Sequence, residues 1–134
     1  MGQTPSSLPA KQSLLLILLP MLATVASLRA YLHGMGVRHV YPGGYLVHHL
    51  FVGVLIVVPA AFVLAFPVRS RRIAIFIRLA LGIGSGLILD EVVYLVATKA
   101  TDADYISRAS LRGSVCFVLA AALFLLFLYW RHRD

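Results

Sequence analysis

Two pairs of adjacent residues carry the chemistry that this sequence can offer. His48 and His49 lie in VHHLFVG, and Asp90 and Glu91 lie in LGIGSGLILDEVVYLV. Imidazole and carboxylate are the side chains that exchange protons near neutral pH and that ligate zinc or iron. Their surroundings make them unusual, because both stretches are apolar enough to lie in a bilayer. An acid at the centre of a membrane helix costs about 2.5–3.5 kcal/mol even on insertion scales. Asp90 and Glu91 therefore need partners, and the histidines on the preceding helix are the first candidates.

Three chemistries fit such a cluster. The first is a mononuclear zinc or iron site built from His48, His49, Asp90 and Glu91, with His33, Arg29, Arg108 and Arg112 in support. A dinuclear site would need more carboxylates and a Glu-x-x-His spacing, and the chain has five acids in all. Such a metal protein could act on a lipid or another membrane-soluble substrate, which leaves open whether the chain is an enzyme. The second is a hydrogen-bonded His–carboxylate network in a non-enzymatic subunit, which sets helix register or binds a membrane partner, a second copy or an anionic headgroup. The third is proton-linked transport, for which four spans are few and no internal repeat is visible. Arg112, four residues after Arg108, either snorkels, clamps a headgroup, or pairs with Glu91 or Asp90. Gly82-x-Gly84-x-Gly86 lacks the Lys-Ser/Thr of a phosphate loop and follows no strand, so it reads as a helix-packing surface.

The elements that must hold these residues are membrane helices. The 134 residues are 60% hydrophobic and 13% charged. Apolar runs long enough to span a bilayer occupy about 12–32, 46–67, 73–97 and 109–130, each near the roughly 20 residues required. The expected fold is all-α, a four-helix transmembrane bundle forming a single domain over 1–134. Lys11 and the LLLILLPMLATVAS that follows also resemble a signal peptide, but the segment is read as a span. The formal charge of +7 comes from arginines in short loops, which suits anionic lipid headgroups and not nucleic acid. Lone Cys116 excludes an intrachain disulfide and reads as a packing residue.

Lys11, Arg69, Arg71, Arg72, Arg131 and Arg133 fall on one side, and Arg29, Arg38, Lys99, Arg108 and Arg112 on the other. The clusters at 69–72 and 131–133 favour cytoplasmic termini in a plasma or inner membrane. Tyr31, Tyr41, Tyr45, Tyr94 and Tyr105 would then form an outer interfacial belt. Asp104 or Ser107 is suited to cap the last helix, and Ser107, Ser110 and Ser114 read as small packing groups on one face.

The second and third helices share a short turn near Ser70, so they should be antiparallel neighbours. Residues whose numbers share a constant sum then lie level, and that sum is about 139 for this turn. His49 is level with Asp90, His48 with Glu91, and Gly53 with Gly86. Gly53 lies four residues after His49, while Gly82, Gly86 and Asp90 follow at intervals of four, so each set shares one helix face. The expectation is a close seam at Gly53 and Gly86, with His49 facing Asp90 across it. Glu91 and His48 would face the flanking helices, where Arg29, His33, Arg108 and Arg112 lie at similar depth.

The pattern of VHHLFVG followed by LGIGSGLILDEVVYLV and TDADY resembles a group of uncharacterised small integral membrane proteins of bacteria and archaea. These show a His-His-x-x-x-Gly helix, a glycine-rich helix ending Gly-Leu-x-x-Asp-Glu, and a short acidic loop. The resemblance covers about 46–115 and singles out His48, His49, Gly53, Asp90 and Glu91. It implies a shared membrane fold and no particular activity.

Overall fold

The structure is a computed structural model and describes residues 8–36, 47–99 and 101–133. Five helices follow one another: α1 (Ala10–Met35), α2 (His49–Leu64), α3 (Arg71–Ala97), α4 (Asp102–Tyr105) and α5 (Arg108–Arg131). The all-helical class is as the sequence implies, with no strand among the described residues. The count of four spanning helices is not confirmed among the described residues. Helices α1, α3 and α5 are long and apolar enough to cross a membrane, whereas α2 is shorter. Its 16 residues rise about 24 Å, against a hydrocarbon core of about 30 Å. α4 is a single turn.

Local chemistry sets the boundaries. Ser70 caps α3, its side chain accepting from Ile73 N–H, and Ser107 caps α5 by accepting from Ser110 N–H. Thr101 and Asp104 form a reciprocal capping box around α4, the device that satisfies two free amides at once. Ser107 thus takes the role that the sequence offered to it, and Asp104 serves the preceding turn. Pro20 and Pro59 lie inside α1 and α2. α1 ends at Gly36, whose φ of 74° is the left-handed conformation that glycine adopts without steric cost.

α3 is the hub. α1, α2 and α5 each pack along it, and among the described residues α2 packs along no other long helix, its one further contact being His49 with Tyr105 of α4. α1 runs parallel to α3, and α2 and α5 run antiparallel to it. Glycines let backbones approach closely at two seams of α3. A Cβ on Gly53 would lie 2.6 Å from Gly84 O, and one on Gly84 would lie 2.9 Å from Gly53 O. A Cβ on Gly86 would lie 2.8 Å from Met21 O, and one on Gly82 would overlap Ile17 O. The seam between α2 and α3 is therefore Gly53 with Gly84, not Gly53 with Gly86. Gly82 and Gly86 pack on α1. The reason is helical geometry: residues 82, 86 and 90 share one face, and residue 84 lies about 200° around the helix from 82.

Two further expectations change. Tyr94 and Tyr105 are buried and pack with Leu32 in the core, so they are not part of an interfacial belt. Tyr31 is exposed, and Tyr41 and Tyr45 lie outside the described residues, as does Arg38. Cys116 is exposed and not a packing residue. Arg78 folds back toward the start of α3, where its Nη1 donates to Ala74 O at 2.9 Å and its Nε to Ser13 Oγ at 3.0 Å.

Candidate functional site

Asp90 is the buried centre of the polar cluster, with no exposed surface. It stands one turn beyond Gly86, on the face that α3 turns toward α1. Arg29 of α1 meets it there. The Arg29 Nε donates to Asp90 Oδ1 at 2.5 Å and the Nη2 to the backbone oxygen of Asp90 at 2.8 Å. The same guanidinium donates to Tyr105 O at 3.1 Å and Ser110 Oγ at 3.2 Å, and its carbon lies 5.4 Å from the Tyr105 ring centroid. One planar fork thus binds α1 to α3, α4 and α5, a use for which arginine's fixed donor geometry suits it.

Asp90 has other donors. Ser114 Oγ donates to Oδ1 at 3.3 Å and the Tyr105 hydroxyl to Oδ2 at 2.9 Å. The phenol has one proton, which goes to Asp90, so its oxygen accepts from the His49 ring, whose Nε2 lies 2.9 Å away. Burial pushes the Tyr105 phenol pKa above its usual value, and the charges of Asp90 and Glu91 push it further. The hydroxyl is therefore kept protonated and able to donate.

Glu91 lies 100° around α3 from Asp90 and shares the Gly84 side, seven residues on. It meets the start of α2. His48 Nδ1 donates to Glu91 Oε1 at 2.6 Å, and the backbone N–H of Leu50 donates to Oε2 at 2.8 Å. His48 is the N-cap of α2 but makes no side-chain cap of its own. Glu91 supplies the cap from a neighbouring helix and places its charge at the positive end of the α2 dipole. His49 sits between the acids, with Nε2 3.4 Å from Asp90 Oδ2 and Nδ1 3.3 Å from Glu91 Oε2. The His48 and His49 side chains are 19% and 23% exposed, and they are the most exposed members of the cluster among the described residues.

All four residues of the two pairs converge, His48 with Glu91 and His49 with Asp90 as their depths imply, but the faces that the two acids use are exchanged. Glu91, not Asp90, faces the α2 helix across the glycine seam, and Asp90 faces α1. Of the supporting residues, Arg29 enters the cluster. His33 is exposed, and its Nδ1 meets Arg29 O at 2.8 Å, one turn back on its own helix. Arg108 and Arg112 are exposed, on the opposite side of α5 from Ser110 and Ser114, so Arg29 holds the place offered to Arg112 as the partner of Asp90. Tyr105, Ser110 and Ser114 are the cluster members that the sequence reading placed elsewhere. The serines left a usable signal: two hydroxyls four residues apart on an otherwise apolar helix face.

The donor set does not suit a metal ion. Each carboxylate oxygen already accepts a proton-bearing group of this chain, and the imidazoles point at carboxylates, not at a shared centre. Among the described residues no group of three or more histidine, cysteine, aspartate or glutamate side chains is arranged to hold a metal. No described buried side-chain nitrogen or oxygen lacks a hydrogen-bond partner. The expected zinc or iron site is therefore unsupported.

Comparison with protein-family models, with curated proteins and with solved structures finds no match to the chain. The motif resemblance to small bacterial and archaeal membrane proteins thus rests on the residues that carry it.

Proposed function

We propose that this chain is a non-enzymatic, multi-pass membrane protein whose ionic cluster is a helix clamp. The clamp fixes which faces of α1, α2, α4 and α5 meet α3, and the bundle so ordered is a unit for assembly with a second copy or another membrane protein. One observation supports this reading: every oxygen of both carboxylates accepts a hydrogen bond from within the chain. Buried polar groups that set register and partner choice are the best-attested use of such pairs.

The assembly half of the reading is supported by α2. It is apolar, shorter than the hydrocarbon core and, among the described residues, packed along α3 with Phe51, Leu55 and Phe62 exposed. Short membrane helices meet this mismatch by thinning the bilayer or by oligomerising. The distribution of lysine and arginine supports placing both termini in the cytoplasm.

The test joins elemental analysis to an assembly assay in mild detergent. The expected protein carries no stoichiometric zinc or iron, keeps its oligomeric state in chelator, and loses it in Arg29→Met. Stoichiometric metal, or an assembly that dissolves on chelation, would overturn the proposal.

A further inference from the structure

The two ends of the bundle differ. At the cluster end, Arg29, Ser110 and Ser114 bring α1 and α5 onto α3. Toward the other end an apolar groove lies between α1 and α5. It consists of two hollows that share Ile17 and Leu125. The outer hollow, about 280 Å³, opens between Ala10 and Ser13 of α1 and Tyr129 and His132 of α5. The inner one, about 260 Å³, reaches Met21, Ser85, Ile88 and Ala121.

Three properties of the groove indicate its occupant. From Ala10 to Met21 the helix rises about 16 Å, which is half of a hydrocarbon core of about 30 Å, or one leaflet. Its hollows are small, about 260 and 280 Å³, against roughly 1,300 Å³ for 16 Å of helix about 10 Å across. Its mouth is basic. Lys11, Arg71, Arg72, Arg131 and Arg133 are exposed at that end, where the sequence places one acid, Asp134. Arg78, held by Ser13 Oγ, adds a guanidinium beside the mouth.

We propose that the groove binds one acyl chain of an anionic phospholipid from the leaflet at the helix termini, with the phosphate held over the mouth by Lys11 and Arg131. The site lies at the opposite end of the bundle from the clamp and does not depend on it. Tyr129 and His132 stand where the glycerol and phosphate oxygens would lie, and the hydrocarbon runs along Ile17 and Leu125 to Ala121.

Native mass spectrometry of the detergent-purified protein, with added phosphatidylglycerol or phosphatidylcholine, tests the site. The wild-type chain should retain one phosphatidylglycerol in preference to phosphatidylcholine. Ala121→Phe, which fills the inner hollow, should lower retention of both lipids, whereas Leu123→Phe on the exposed side of α5 should not. The triple variant Lys11→Gln, Arg131→Gln, Arg133→Gln should keep the chain but lose the preference, by about fivefold for each cation that contacts the phosphate. Equal retention of the two lipids by the wild type, or no retained lipid, overturns the proposal. So does wild-type retention by Ala121→Phe. If Ala121→Phe does not fold, the triple variant decides, and an unchanged preference refutes the site.

Discussion

Removing Arg29 should cost far more than removing its partner, and removing both should cost less than the sum. Arg29→Met deletes four hydrogen bonds, to Asp90 Oδ1, Asp90 O, Tyr105 O and Ser110 Oγ. It leaves Asp90 fully buried with only Tyr105, Ser114 and the more distant His49 to stabilise its charge. Breaking a buried ion pair from one side costs about 3–5 kcal/mol. Asp90→Asn is milder, because Arg29 keeps the backbone oxygens of Asp90 and Tyr105 and the Ser110 hydroxyl; a cost of about 1–3 kcal/mol is expected. The double variant Arg29→Met, Asp90→Leu removes both charges and should recover at least 2 kcal/mol or so of the summed loss. Neutral hydrogen bonds between membrane helices average only about 0.6 kcal/mol in such cycles, so the two cases are well separated. Reversible unfolding in micelles, followed by helix content or steric trapping, gives the four free energies. A coupling near 0.6 kcal/mol, or an Asp90→Asn variant less stable than Arg29→Met, would refute the clamp.

Other perturbations have equally definite outcomes. Glu91→Ala should free the Leu50 amide, weaken the start of α2 by about 1 kcal/mol and raise hydrogen exchange there several-fold, while exchange along α1 stays unchanged. Gly84→Ala should separate α2 from α3 and lower thermal stability, because the new methyl meets Gly53 O and Val57; Gly34→Ala, with nothing within 4 Å, should gain up to about 1 kcal/mol of helix propensity. The raised Tyr105 phenol favours the folded state fully below about pH 10, the ordinary tyrosine value, and that contribution is lost as pH rises toward the folded pKa. Tyr105→Phe should therefore leave the phenolate absorbance that develops near pH 10 unchanged, and a drop by one tyrosine would contradict the burial argument. Asp104 is held below the usual carboxylate range, chiefly by the Thr101 hydroxyl, so the α4 cap is complete above about pH 4 and loosens as pH falls through the lower folded value. Comparing Asp104→Asn with wild type by amide exchange at 101–105 reads this directly.

Much of this protein is legible in its sequence. Hydrophobicity alone marks the long helices, because a bilayer requires uninterrupted apolar length. Interval-of-four spacing marks the two glycine-bearing faces, since it follows from the helix pitch. The level pairing of His48 with Glu91 and His49 with Asp90 follows from a short turn and an antiparallel hairpin, and in the structure these pairs stand 2.6 and 3.4 Å apart.

Tertiary structure decided which neighbour each face meets. The pitch places Gly82, Gly86 and Asp90 on one side of α3 and Gly84 and Glu91 on another, but it does not say which side looks at α1 and which at α2. That depends on how three helices divide the circumference of α3. The parallel α1 is joined to the hairpin through 37–46, so no constant-sum arithmetic reaches it. Arg29 could be placed at the right depth and still not be assigned to Asp90. Tyr105 was harder again, because a one-turn helix must fold inward before its hydroxyl can join the cluster. Sequence determines depth and face here because both follow from one helix and one turn. Partnership arises only when helices distant in the chain compete for the same buried charges.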